Sequence, residues 1–190
     1  MENNWIYGPF GESRQQVMKK QKIIIFDGPD GCGKTNMAMA LATHTKIPYF
    51  KNNDEHKYFL SDPSYFMHAV QYVDTYFTSY LESSGASIIL DRAWPSEWIY
   101  SHVLKRKSDA QILAELDDRH SKLGTQIIIP YRTTYNNVLD DYDSVNENLE
   151  KIHDRYMKFA KWTKCDVLLL NVDDEDLQRE IKEILSFINW

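Results

Sequence analysis

Five short apolar runs punctuate the chain, at 22–27 (KIIIFD), 47–50, 86–90, 126–129 and 166–170. None shows the clean apolar–polar alternation of a strand with one wet face, which predicts parallel strands covered on both sides. Between them the apolar positions recur at helical spacing. Residues 36–45 (NMAMALATHT) are rich in the good helix formers Ala, Met and Leu. Ser61-Asp62-Pro63 offers a cap and a first-turn proline, and from Tyr65 the apolar positions continue through Ala69, Tyr72, Tyr76 and Tyr80. Pro95 opens a helix toward Arg106, and Ile112, Leu113 and Leu116 mark one that Gly124 ends. Val145, Leu149, Ile152, Tyr156 and Phe159 step along one further helix, and Leu177, Ile181, Ile184, Leu185 and Ile188 along the last. Strands alternating with helices predict an α/β, doubly wound fold: a five-stranded parallel sheet with helices on both faces and ligands at the carboxyl ends of the strands. Residues 1–21, with Trp5, Tyr7 and Phe10, form an N-terminal extension, and 22–190 one domain.

Composition narrows the class. Apolar residues make up 43% and charged residues 26% of the 190 positions, as in an ordinary globular chain. No apolar stretch approaches the ~20 residues that span a bilayer, and the first residues lack the basic-then-apolar order of a secretory signal. The two cysteines, Cys32 and Cys165, are neither a disulfide framework nor spaced as zinc ligands. A reducing, cytoplasmic setting without a membrane partner is expected. The net charge of −6 advertises no track for a nucleic-acid backbone, so small phosphorylated partners are favoured over nucleic acid. A homodimer is compatible with everything in the sequence.

The chemistry gathers at two strand ends. After the first strand comes Gly28-Pro29-Asp30-Gly31-Cys32-Gly33-Lys34-Thr35, the pattern G-x-x-x-x-G-K-[ST] of the phosphate-binding P-loop, followed by the helix that the motif requires. Glycines let backbone N–H groups turn inward around phosphate oxygens, and the helix N-terminus adds partial positive charge. Lys34 reaches the β- and γ-phosphates in such a loop, and the Thr35 hydroxyl holds Mg²⁺. The expected ligands are therefore a nucleoside triphosphate and Mg²⁺. The third strand ends in Asp91, an acid placed to meet the metal, partly through water. Arg92 follows it, a planar guanidinium suited to gripping an acceptor phosphate in two-pronged fashion.

Phe26 to Thr35, with an acid at the third loop position, resembles the P-loop of thymidylate kinases. Asp91-Arg92 followed by Pro95-Ser96-Glu97-Trp98-Ile99-Tyr100-Ser101 is similar to their Asp-Arg motif and its helix, and to the related segment of deoxynucleoside kinases. Ile152 to Phe159 is similar in placement to the helix after their lid. The resemblance implies a P-loop NTPase fold and a nucleotide kinase of nucleotide biosynthesis. It implies that Gly28, Pro29, Asp30, Gly31, Cys32, Gly33, Lys34 and Thr35 bind ATP, and that Asp30 and Arg92 bind the acceptor, Asp30 at its sugar and Arg92 at its 5′-phosphate. Lys34, Arg92 and Asp91 would be catalytic, and Thr35 with Asp91 would organise Mg²⁺. The chain departs from the family where thymidylate kinases carry a catalytic arginine. Gly31 occupies that loop position, and 136–150, the lid, has no lysine or arginine but five acids, Asp140, Asp141, Asp143, Glu147 and Glu150. Arg132, after the fourth strand, and Arg155, on the next helix, are the candidates by position.

The leading expectation is ATP-dependent transfer to a deoxynucleoside monophosphate, thymidylate or a modified pyrimidine relative. One rival is a kinase of a nucleoside or of a base hydroxyl such as 5-hydroxymethyluridine, free or in DNA. The other is a nucleotide-binding switch or ATPase with no small acceptor. A general base for a nucleoside would fall near Asp54 and Glu55, although an acidic solvated turn is the plainer reading there. The aromatic residues Tyr58, Phe59, Tyr65, Phe66, Tyr72, Tyr76, Phe77 and Tyr80 are expected to be mostly core, with one or two free to stack on a base.

Overall fold

β1 (Ile23–Phe26) is an uninterrupted β-branched and aromatic run, fully buried, and it forms the centre of the sheet because it can be covered on both faces. The computed structural model describes residues 20–51, 63–136, 138 and 143–190, with side chains of 63–70 left aside. β2 (Tyr49–Lys51), β3 (Ile88–Asp91), β4 (Gln126–Tyr131) and β5 (Asp166–Asn171) complete a five-stranded sheet in the order β2-β3-β1-β4-β5. Every pair in it is parallel. α1 (Lys34–Thr45), α2 (Pro63–Ser84), α3 (Trp94–Val103), α4 (Ala110–Lys122), α5 (Asp143–Asn146), α6 (Leu149–Trp162) and α7 (Leu177–Phe187) surround it. The core joins Ile23, Ile24, Ile25, Ile89 and Ile127 of the sheet to Leu41, Trp94 and Phe159 of the helices. All five predicted strands are present.

The strand order matters for function. From β1 the chain moves to β2 on one side of the sheet and returns through β3. It then crosses to the other side of β1 for β4 and β5. The loops after β1 and β3 therefore leave in opposite directions from neighbouring strands, the crevice where open α/β sheets bind ligands. The register pairs Phe26 with Asp91, so the start of the P-loop and the Asp91-Arg92 segment emerge side by side.

Two expectations are corrected. The helix read through Val145 to Phe159 is broken into α5 and α6, because Asn148 leaves helical geometry and spends its side-chain amide on Ser144 O at 2.8 Å. More consequentially, the aromatic stripe of α2 faces out: Tyr72, Tyr76 and Tyr80 are 64%, 76% and 53% exposed. The opposite face is buried, with Gln71, Asp74 and Thr78 beside Leu81. Gln71 and Thr78 are tolerated inside because their side chains have partners. Gln71 donates to Asp109 O at 3.3 Å, and Thr78 Oγ1 donates to Asp74 O at 2.7 Å and lies 3.1 Å from His120 Nε2 on α4. Among the described side chains of the set, Phe77 packs against the core, stacked on Phe50 with centroids 5.5 Å apart. Tyr58 and Phe59, and the side chains of Tyr65 and Phe66, lie outside the described residues, as do 1–19, Asp54, Glu55, Asp140 and Asp141.

Candidate active site

The loop between β1 and α1 turns through Gly31 and Gly33 at φ 74 and 69, the left-handed region that glycine enters without a steric penalty. A Cβ on Gly31 would also collide with the Val138 side chain, so this loop position has no room for a side chain while Val138 covers it. Lys34 opens α1, is buried, and donates from Nζ to Pro29 O at 2.6 Å across the loop, with Asp30 Oδ1 at 3.8 Å. Burial lowers the Lys34 pKa, Arg92 adds to that, and Asp30 opposes it.

Thr35 and Asp91 meet as the spacing required. Thr35 Oγ1 donates to Asp91 Oδ2 at 2.6 Å, and the Tyr49 hydroxyl from β2 donates to the same oxygen at 3.0 Å. The donor set is all oxygen, which suits Mg²⁺, a hard cation that is usually held by one or two protein groups with phosphates and water completing the octahedron. Among the described residues no cluster of three or more His, Cys, Asp or Glu offers a different cage. Thr35 and Asp91 would hold the ion, whose charge would help neutralise the phosphates.

Arg92 takes φ 66, a strained conformation for a side chain with a Cβ. Its N–H donates to Phe26 O at 2.9 Å, and from there the guanidinium reaches back over the P-loop. Nη2 is paired with Asp30 Oδ1, Nη1 donates to Ser96 Oγ at 2.9 Å, and the Tyr100 ring lies 5.2 Å beneath the guanidinium carbon. Tyr100 also donates to Asp30 Oδ2 at 2.5 Å. Burial would raise the Asp30 carboxyl, but Arg92, then Lys34 and the Tyr100 hydrogen bond outweigh it and hold it below the ordinary range. Asp30 is thus ionised at neutral pH.

A residue absent from the candidate set organises this group. Asp27 is fully buried at the end of β1. Its Oδ1 accepts from Tyr156 OH at 2.5 Å, Ser96 Oγ at 2.6 Å and Gly28 N at 3.0 Å, while Oδ2 accepts from Ser96 N at 3.1 Å and Ala93 N at 3.2 Å. One carboxylate therefore ties the P-loop, the N-terminus of α3 and, through Tyr156, α6. An acid after a strand carries no such message in sequence, since four of its five hydrogen bonds come from two distant segments, Ala93–Ser96 and Tyr156.

The two arginines offered for the missing lid charge separate clearly. Arg132 Nε donates to Gly31 O at 3.0 Å, on the P-loop itself. Arg155 instead lies over the Trp98 ring, 5.2 Å from its centroid, where α6 packs on α3. His153 is a packing residue, its Nδ1 3.0 Å from Tyr135 OH.

A glycine loop between a buried central strand and a helix N-terminus, with a Thr–Asp oxygen pair beside it at the switch point of a parallel sheet, defines a P-loop nucleoside-triphosphate-binding protein. The model of the ATPase family associated with various cellular activities (AAA) matches residues 24–159, and the chain belongs to that family. No curated protein sequence matches it. Its fold is similar to that of the YorR protein from Bacillus subtilis, solved in complex with phosphorylated GDP (TM-score 0.62, 15% identity, 88% of this chain and 95% of that one). It is also similar to thymidylate kinase from Ehrlichia chaffeensis (TM-score 0.59, 15% identity, 87% and 98%). Deoxyadenosine kinase from M. mycoides, with dCMP and a flexible dCDP bound, is a third (TM-score 0.55, 20% identity, 89% and 99%). At these identities the likeness is one of fold. Among the described residues no helix is long and apolar enough to cross a membrane.

Proposed function

We propose that the protein is an ATP- and Mg²⁺-dependent kinase whose acceptor is a deoxynucleoside monophosphate, thymidylate or a modified pyrimidine relative. The observation that carries this reading is Arg92. A largely covered guanidinium is delivered from the end of β3 onto the third residue of the P-loop, where an acceptor phosphate beside the donor would meet it. In the reaction Arg92 exchanges part of its pairing with Asp30 for the acceptor 5′-phosphate and brings it in line with the donor. Asp30 and Tyr100 face the acceptor sugar. An acceptor phosphate oxygen attacks the γ-phosphorus as the bond to the β-phosphate oxygen breaks, releasing the acceptor diphosphate and ADP. Lys34 stabilises the charge on the transferring group, and Thr35 and Asp91 hold Mg²⁺.

A second reading has its own support. Asp30 is an ionised carboxylate at the loop, and it would take the proton of a hydroxyl acceptor, with its basicity reduced by the pairing with Arg92. The test is transfer of labelled γ-phosphate from ATP to the four deoxynucleoside monophosphates, deoxyuridylate, 5-hydroxymethyl-deoxyuridylate, the free nucleosides and hydroxymethyluracil-containing DNA. A labelled diphosphate supports the first reading and names the base. Label on a nucleoside or on DNA moves the acceptor to a hydroxyl. Inorganic phosphate alone would overturn both and leave an ATPase, as the family match allows.

A further inference from the structure

Phosphoryl transfer spreads charge over the migrating group, and positive groups positioned around it supply most of the catalysis. Among the described residues two guanidinium groups hydrogen-bond to the P-loop, Arg92 and Arg132. They are held very differently. Arg92 is largely covered between Asp30 and the wholly buried Asp27, whose Oδ1 is 3.9 Å from Nη1, so in the resting site its charge is largely matched by two carboxylates. Arg132 has a fixed root and an exchangeable tip. Its backbone N–H donates to the buried Tyr135 hydroxyl at 3.2 Å, and the β4 end carrying it is stapled to the chain after β5 by Thr133 Oγ1 to Asp173 Oδ2 at 2.8 Å and Val172 N to Tyr131 O at 3.0 Å. At the tip, Nη2 pairs with Glu175 Oε1 at 2.7 Å, and Glu175 is 71% exposed. A pair with so wet a partner is screened and worth little, so a multiply charged phosphate beside it would win the competition. Gly31, over which Arg132 lies, has no room for a charged side chain of its own, because Val138 occupies the space.

We propose that Arg132 is the group that neutralises the terminal phosphate of the donor, exchanging Glu175 for a γ-phosphate oxygen when nucleotide binds, with Glu175 as its resting partner. The role rests on the kinase reading above. No covalent bond to Arg132 forms or breaks as the γ-phosphoryl group passes from ATP to the acceptor and leaves ADP.

The test compares MgADP with a non-hydrolysable MgATP analogue in the full chain, by calorimetry, for wild type, Arg132→Ala, Arg132→Lys and Glu175→Gln. A charged hydrogen bond lost from the γ-phosphate alone should weaken the analogue by about tenfold or more in Arg132→Ala and leave ADP within about twofold. Arg132→Lys should recover part of the loss. Glu175→Gln should leave ADP unchanged and should not weaken the analogue. In single-turnover transfer Arg132→Ala should fall by at least about 10²-fold. Equal weakening of ADP and analogue, or no weakening of either, would overturn the assignment. So would a weaker analogue in Glu175→Gln, which would make the ion pair itself the binding structure. If the wild-type protein phosphorylates no acceptor, the kinase reading falls while the binding comparison still decides the γ-phosphate contact.

Discussion

Glu97 lies buried in α3, one residue beyond Ser96, and its Oε1 has no hydrogen-bond partner. Burial pushes its carboxyl up from 4.5 to about 7, against a weaker opposing pull from Arg106. A tenfold change in proton affinity is worth about 1.36 kcal/mol, so ionising this group in the folded protein costs about 3 kcal/mol relative to a free glutamate. Between pH 4.5 and about 7 the native state binds the proton that the unfolded chain releases, so Glu97 makes stability fall as pH rises through that window and adds no slope above it. Glu97→Gln removes the slope. Denaturant melts at pH 5 and pH 8 should show the variant gaining up to about 3 kcal/mol on wild type over that span, or roughly 2–4 °C of Tm per kcal/mol. The fixed penalty of burying an amide shifts both pH values alike and drops out of the comparison, as does the opposite contribution of His120, whose pKa burial lowers to about 4 in both proteins. Parallel stability–pH curves for wild type and variant would refute the argument and mean that Glu97 is solvated or paired in solution.

Three further outcomes test the site. Lys34→Ala should reduce transfer by at least about 10²-fold while the far-ultraviolet circular-dichroism spectrum stays that of the folded protein, since it removes the charge aimed at phosphate and one hydrogen bond to Pro29 O; near-normal turnover would sink the P-loop assignment. Asp91→Asn should raise the Mg²⁺ concentration for half-maximal rate by an order of magnitude or so, read from a metal titration, because a charged metal contact becomes a neutral one. Arg92→Ala should raise the acceptor KM and lower kcat together while ATP affinity stays within a fewfold, and unchanged acceptor kinetics would show that this arginine does not face the acceptor.

Much of the site was legible because its signals are local. Gly28 to Thr35 is contiguous, bounded by a strand and a helix whose composition speaks for itself. Asp91 and Arg92 stand at the end of a strand that the apolar run 86–90 announces. The partners of these residues were not legible. Tyr49, Ser96, Tyr100 and Tyr156 reach Asp91, Asp27 or Asp30 only through parallel register and helix packing. Their residue types are common enough that no spacing distinguishes them.

Sequence alone determined the α/β class, the five strands and the contiguous phosphate loop, because hydrophobic period and turn chemistry act over a few residues. Tertiary structure decided which face of α2 is wet. The period of Tyr72, Tyr76 and Tyr80 specifies a helix but not its rotation, and the partners that His120 and Asp109 offer to Thr78 and Gln71 turned the polar face inward. It likewise placed Arg132 against the P-loop and Arg155 over Trp98. Both follow β4 in the chain, but only the first leaves its strand at the sheet edge where the P-loop lies, and a guanidinium can act only on what it can reach.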